Sequence, residues 1–155
     1  MKIHLFIVLI CFCSFTLSAR EIGETEILTD EGIEVFQKEK YYLLKKNVSI
    51  TSDNFELVAD KVKAYFNEDL YDIEKIESEG NVTLKSNRGL VAKGVRINFS
   101  IKNENIIIIG ENSSLVYKNI DMFSNKQIKV NNISGEFEII GKNSKLLTED
   151  IKIYG

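Results

Sequence analysis

Beyond residue 20 the chain alternates apolar and polar residues with a period of two, and no other feature restricts its fold as much. The alternation is plain in Val48-Ser49-Ile50-Thr51, Phe55-Glu56-Leu57, Val82-Thr83-Leu84-Lys85, Val95-Arg96-Ile97-Asn98-Phe99, Phe137-Glu138-Ile139 and Ile151-Lys152-Ile153. Successive side chains on a strand point to opposite faces, so this period marks strands with one covered and one wet face. The covered positions are mostly β-branched or aromatic, which suits a pleated surface. Polar breaks separate the runs at Ser52-Asp53-Asn54, Asn67-Glu68-Asp69, Ser86-Asn87-Arg88-Gly89, Lys102-Asn103-Glu104-Asn105 and Gly141-Lys142-Asn143-Ser144. A helical stripe over Tyr65 to Ile76 is interrupted by Asn67-Glu68-Asp69. The absence of proline leaves every ladder donor in place.

The alternation also slips by one residue at recurring places. In Leu57-Val58-Ala59-Asp60-Lys61-Val62-Lys63-Ala64-Tyr65-Phe66 the apolar positions are 57 and 59, then 62, 64 and 66. The segment from Leu90 to Phe99 slips in the same place, and fainter copies start at Leu115 and Leu146. A slip of one residue turns a strand over unless a bulge or bend absorbs it. Bends are therefore expected at Asp60-Lys61, Lys93-Gly94, Lys118-Asn119 and Glu149-Asp150. Hairpin-like openings are expected at Lys46-Asn47-Val48, Gly80-Asn81-Val82 and Gly110-Glu111-Asn112. The uneven spacing of the units favours a twisted antiparallel sandwich or jelly roll over a β-solenoid.

Residues 1–19 read as a secretory signal peptide: Lys2, an apolar run as far as Leu17, then Ser18-Ala19. The run is shorter than the ~20 residues of a spanning helix, so a retained membrane anchor is the second reading. Cleavage there removes Cys11, Cys13 and the only histidine, His4. A domain over residues 20–155 would then have no disulfide and no thiol or imidazole ligand for a metal. Losing Lys2, the one formal charge in that segment, takes the net charge from -3 to -4. That is no footprint for nucleic acid. No cofactor motif, nucleotide-binding loop or catalytic spacing is present, so the chain is not expected to be an enzyme.

The motifs Ala59-Asp60-Lys61-Val62 and Gly80-Asn81-Val82-Thr83-Leu84 resemble those of the OstA-like family, which shows an Ala-Asp step before one strand and a Gly-Asn-Val opening before the next. Weaker forms stand at Thr29-Asp30 and Lys46-Asn47-Val48, and the resemblance runs over about residues 25 to 155. Two departures are clear. Lys46 stands where the family has glycine, at a cost of about 1 kcal/mol if the position needs a positive φ. The third and fourth units lack the Ala-Asp step.

The resemblance implies a single β-jelly roll with an open apolar groove, carrying lipopolysaccharide across the periplasm. It implies lipid A as ligand. As partners it implies further copies of this chain, together with LptC-like and LptD-like jelly rolls of the inner- and outer-membrane complexes. Each buried methylene contributes about 0.8 kcal/mol, so an apolar groove needs no specific polar site. The candidates to line it are Val48, Ile50, Leu57, Phe66, Val82, Leu84, Ile97, Phe99, Ile108 and Leu115; the competing reading is that they only pack on one another. Strands around Ile27 and Thr29 at one end, and Ile151 and Ile153 at the other, are the candidate assembly edges; Lys145 and Lys152 could instead guard the second.

The polar residues carry less. Lys45, Lys46, Lys85, Arg88, Lys93 and Arg96 could meet phosphates or simply be wet strand faces. Asp60, Asp121 and Asp150 are expected as turn caps. Ile106 to Ile109 reads as a strand covered on both faces or passing between sheets. Asn-x-Ser/Thr triplets at Asn47, Asn81, Asn98, Asn112 and Asn132 would matter only in a eukaryotic secretory pathway. A ligand-free structural β-filament is the rival of another class.

Overall fold

A computed structural model describes residues 20–155; the segment read as a signal peptide, with Cys11, Cys13 and His4, lies outside them. The described residues form thirteen strands in one antiparallel, hydrogen-bonded sheet, and no helix. The strands are β1 (Glu26–Leu28), β2 (Ile33–Phe36), β3 (Tyr41–Thr51), β4 (Phe55–Phe66), β5 (Ile73–Ser86), β6 (Leu90–Ser100), β7 (Asn105–Ile109), β8 (Ser113–Tyr117), β9 (Ile120–Ser124), β10 (Gln127–Asn131), β11 (Phe137–Ile140), β12 (Lys145–Leu147) and β13 (Lys152–Tyr154). Tyr65 to Ile76 is strand, turn and strand, so the interrupted helical stripe forms no helix.

The four longest strands, β3 to β6, each belong to two layers. One half of each takes part in the order β2-β3-β4-β5-β6-β7-β10-β11, and the other half in β1-β3-β4-β5-β6-β8-β9-β12-β13. Burial shows the turnover directly. On β4 the covered residues are Phe55, Leu57 and Ala59, then Val62, Ala64 and Phe66, with Asp60 and Lys61 both exposed. The slip at Asp60-Lys61 is thus the bend expected of it, and both halves face one core. On β6 burial changes parity between Ala92 and Ile97, so the bend expected at Lys93-Gly94 lies there.

The ladder shows what absorbs the slip. Two residues of β3, Lys46 and Asn47, stand opposite Asp60 alone, and Gly80 and Asn81 of β5 stand opposite Val95 alone. These are bulges inside strands, not hairpin openings as their sequence suggests. All four bulge residues have positive φ: 64° at Lys46, 49° at Asn47, 81° at Gly80 and 48° at Asn81. Gly80 has a second reason to be glycine, since a Cβ there would lie 2.8 Å from the Asp60 Cβ.

In the second half of the chain the bent strands are broken instead. β7 and β8 pair with the two halves of β6 and are separated by Gly110-Glu111-Asn112. β9 and β10, then β11 and β12, continue the pattern, the last pair broken at Gly141-Lys142-Asn143-Ser144. The two breaks are copies of one motif. In each, a serine hydroxyl donates to the glycine carbonyl: Ser113 to Gly110 at 2.7 Å, Ser144 to Gly141 at 2.6 Å. In each, the asparagine has a φ of 59°.

Two expected bends are hairpin turns. Tyr117 pairs with Ile120 across Lys118-Asn119, and Leu147 pairs with Lys152 beyond Glu149-Asp150. A tight turn also restarts the alternation on the other parity, so the sequence signal is the same as that of a bend.

Candidate functional site

The covered halves of both layers enclose one apolar core. All ten groove candidates are buried, nine of them in this core and Phe66 packed on Tyr42 beside it: Val48, Ile50, Leu57, Leu84, Ile97, Ile108 and Leu115 are fully buried, and Val82, Phe99 and Phe66 nearly so. Side chains from the two layers meet directly, as in the edge-to-face contact of Phe55 and Phe99, whose ring centroids are 5.1 Å apart. Ile106 and Ile108 point into the core while Ile107 and Ile109 are half-covered outside. The all-isoleucine run is therefore an ordinary one-sided strand with an apolar back.

The interior opens at its N-terminal end. A cavity of about 670 Å³ lies there, within the ~300–1,000 Å³ usual for ligand sites, lined by Ile27, Ile33, Tyr42, Leu44, Leu70 and Ile73 among others. Two segments form its rim. Residues 23–25 are held to the β3–β4 turn, where the Arg20 guanidinium lies 2.7 Å from the Asp53 carboxylate and the Gly23 N–H donates to it at 2.7 Å. These two hydrogen bonds, Arg20 first, hold the Asp53 carboxyl below its ordinary range. The other rim is the β4–β5 turn, where the Tyr42 hydroxyl donates to the Leu70 carbonyl and Tyr71 stands exposed. Sequence reasoning missed this mouth: Ile27, Tyr42 and the Leu70–Ile73 segment come from three places in the chain, and only pairing brings them together.

The edges are open at both ends of the strand order. β1 pairs only with β3, and β13 only with β12. Ile27 is half-buried in β1, whereas Thr29 follows that strand and turns its hydroxyl to the Lys45 carbonyl at 2.5 Å. Ile151 and Ile153 are each 55% exposed, so this edge presents apolar surface as well as free backbone groups.

The basic candidates do not converge. Lys45 lies on the outside of one layer, 2.6 Å from Glu34, and Lys85 and Lys93 lie outside the other. Lys46 is a bulge residue, and Arg88 is 3.7 Å from Glu104. Arg96 stands on the outer face beside Glu79 and Lys61. Of the three aspartates, Asp60 accepts a hydrogen bond from Asn81 at 2.9 Å across the corner, as Asp30 does from Asn47 at 2.6 Å. The two family motifs are thus one contact. Asp121 instead sits within β9, and Asp150 in the last turn. Among the described residues no group of acidic, histidine or cysteine side chains could hold a metal.

An apolar inside between two bent layers, reached from one end and uncapped at both edges, defines an open-ended antiparallel jelly roll. Comparison with known proteins makes the assignment specific. The family model described as LptA/(LptD N-terminal domain) LPS transport protein matches residues 27–136. The chain belongs to this family of lipopolysaccharide-transport domains. Among solved structures it is similar in fold to LptH of Pseudomonas aeruginosa, the LptA-homologous periplasmic component of the conserved lipopolysaccharide transport device. That likeness has a TM-score of 0.70 at 10% identity and covers 81% of this chain and 95% of LptH. No curated protein sequence matches the chain.

Proposed function

We propose that this protein is a periplasmic bridge for lipopolysaccharide, with a transport role and no catalysis of its own. Lipid A chains enter the apolar interior between the layers, and the β1/β2 and β11/β13 edges join copies of the chain, or related LptC-like and LptD-like jelly rolls, end to end. The observation that carries this reading is the continuous apolar core that opens, at the N-terminal end, into a cavity lined by Ile27, Ile33, Leu44, Leu70 and Ile73. Membership of a lipopolysaccharide-transport family supports it. Residues 1–19 act as a cleavable signal; a mature N-terminus at Arg20 or Glu21, found by terminal sequencing, distinguishes this from a retained anchor.

The test is photo-crosslinking in cells. A photoreactive residue replaces Ile50, Phe66, Ile97 or Phe99 in turn, with Lys85 on the outer face as control. Lipopolysaccharide adducts at the interior positions and none at Lys85 are expected. A folded, exported protein with no adduct at any interior position would sink the reading. The complete burial of seven groove candidates favours the alternative in that case, a ligand-free filament subunit with a filled core.

A further inference from the structure

Beyond the mouth the interior is already filled by its own side chains, so a ligand that reaches along it must part the two layers. Two sides of the molecule bear on how. Along one side every bent strand passes through a corner, at Lys46-Asn47, Gly80-Asn81, Gly110 to Asn112 and Gly141 to Asn143. There the layers are joined covalently. On the opposite side the layers meet only through the turns at their tips, along a seam. The contacts across that seam are few and cluster near its middle. Ser86, beside the β5–β6 turn, donates its hydroxyl to Asn132 at 3.3 Å, and Arg88 lies 3.7 Å from Glu104. Asn132 is almost fully buried, donating its side-chain amide to Glu104 at 2.5 Å and its backbone N–H to the Glu104 carbonyl at 3.0 Å. Beneath these, Phe55 meets Phe99. Asn132 and Glu104 form one rigid side of the contact, and Ser86 and Arg88 are the other.

We infer that the jelly roll opens laterally, hinged on the row of corners, and that Ser86 and Arg88 against Asn132 and Glu104 form the latch that closes it. The inference rests on the reading that lipopolysaccharide acyl chains enter the interior, and it names the contact that regulates their entry. The chemistry suits a latch. One long, partly exposed ion pair and one long hydroxyl–amide contact are weak and reversible. When the two sides part, Asn132 keeps its bonds to Glu104 and the Ser86 hydroxyl keeps the backbone N–H groups of Arg88 and Leu90, while the Asn132 amide oxygen and the Arg88 guanidinium are freed to water. Tyr117, which approaches Gly135 farther along the seam, would part with it.

Cysteines at Ser86 and Asn132 test this, because the sequence from residue 20 onward has no cysteine of its own. The exported full-length chain carries a benzoylphenylalanine at Phe66, and purified lipopolysaccharide is the probe. A control pair at Lys85 and Val91, neighbours on the outside of one layer, joins two strands without bridging the seam. Oxidation of the seam pair is expected to lower the Phe66 adduct at least tenfold, with recovery on reduction, while the control pair has no effect. Equal labelling of oxidised and reduced seam protein overturns the latch and leaves the carrier reading standing. No labelling in either state, or in the control, overturns both. Because Asn132→Cys could disturb folding, Arg88→Ala provides a second route. It removes only the exposed ion pair and is expected to speed lipopolysaccharide uptake several-fold at unchanged Tm. An unchanged uptake rate counts against the latch.

Discussion

The two halves of the chain turn the same corner in different ways. From β3 to β6 the strands run unbroken through the bend, and a two-residue bulge faces a single residue of the neighbour. From β7 to β12 the strand stops and a new strand begins, with a Gly-x-Asn turn crossing the corner between β7 and β8 and again between β11 and β12. The first solution keeps nearly every ladder bond but fixes the backbone of both partners at the bend. The second gives up ladder bonds and replaces them with local ones, such as the Ser113 and Ser144 hydroxyls on the glycine carbonyls. The unbroken corners are therefore expected to be the stiffer and less forgiving ones.

The largest effect should come from a methyl group at the corner glycines. Gly80→Ala combines a φ of 81° with a clash against the Asp60 Cβ in a strand paired on both sides. A loss of about 3 kcal/mol is expected in urea unfolding. Gly141→Ala meets the Lys126 Cβ at 2.7 Å, but in a broken segment that can shift, and about half that loss is expected. Equal losses would erase the distinction between the halves.

Next in size is the carboxylate across the unbroken corner. Asp60→Ala leaves the Asn81 amide without its partner and should cost about 1 kcal/mol. Asp121→Ala, on the outer face of β9, should stay within about 0.5 kcal/mol of the parent in the same experiment.

Lys46 is a misfit in the first corner, a long side chain at a φ of 64°. Lys46→Gly should stabilise by about 0.5–1 kcal/mol, read as a rise in Tm, because relief of the left-handed strain outweighs glycine's extra freedom when unfolded. A fall in Tm would mean that the lysine makes a contribution its backbone strain conceals.

The smallest effect concerns the rim of the mouth. The Asp53 carboxyl is held below its ordinary range by Arg20 and the Gly23 N–H. A group with a depressed folded pKa contributes stability above its unfolded pKa, and loses that contribution as pH falls through the folded one. Residues 20–25 should therefore stay docked at neutral pH and loosen only below the ordinary carboxylate range, which backbone amide shifts at Gly23 would follow. Asp53→Asn should loosen them at neutral pH and leave the rest of the fold unmoved.

Sequence alone determined the strand class, the positions facing the core and the bends at Asp60-Lys61 and near Gly94, because a covered face imposes a period of two and a turnover must reset it. The burial of all ten proposed groove residues was legible for the same reason, because the pattern reports burial and says nothing of a ligand. It does not report what lies beyond a slip. A bulge, a break and a hairpin turn each reset the parity, so Gly80-Asn81, Gly110 to Asn112 and Lys118-Asn119 look alike in sequence and do different things in space. Only the tertiary structure decided between them, since the outcome depends on which neighbour each half-strand pairs with. The same holds for the mouth around Leu70 and Ile73 and for the contact of Ser86 with Asn132. Both join segments far apart in the chain, and no local periodicity encodes a contact between two turns.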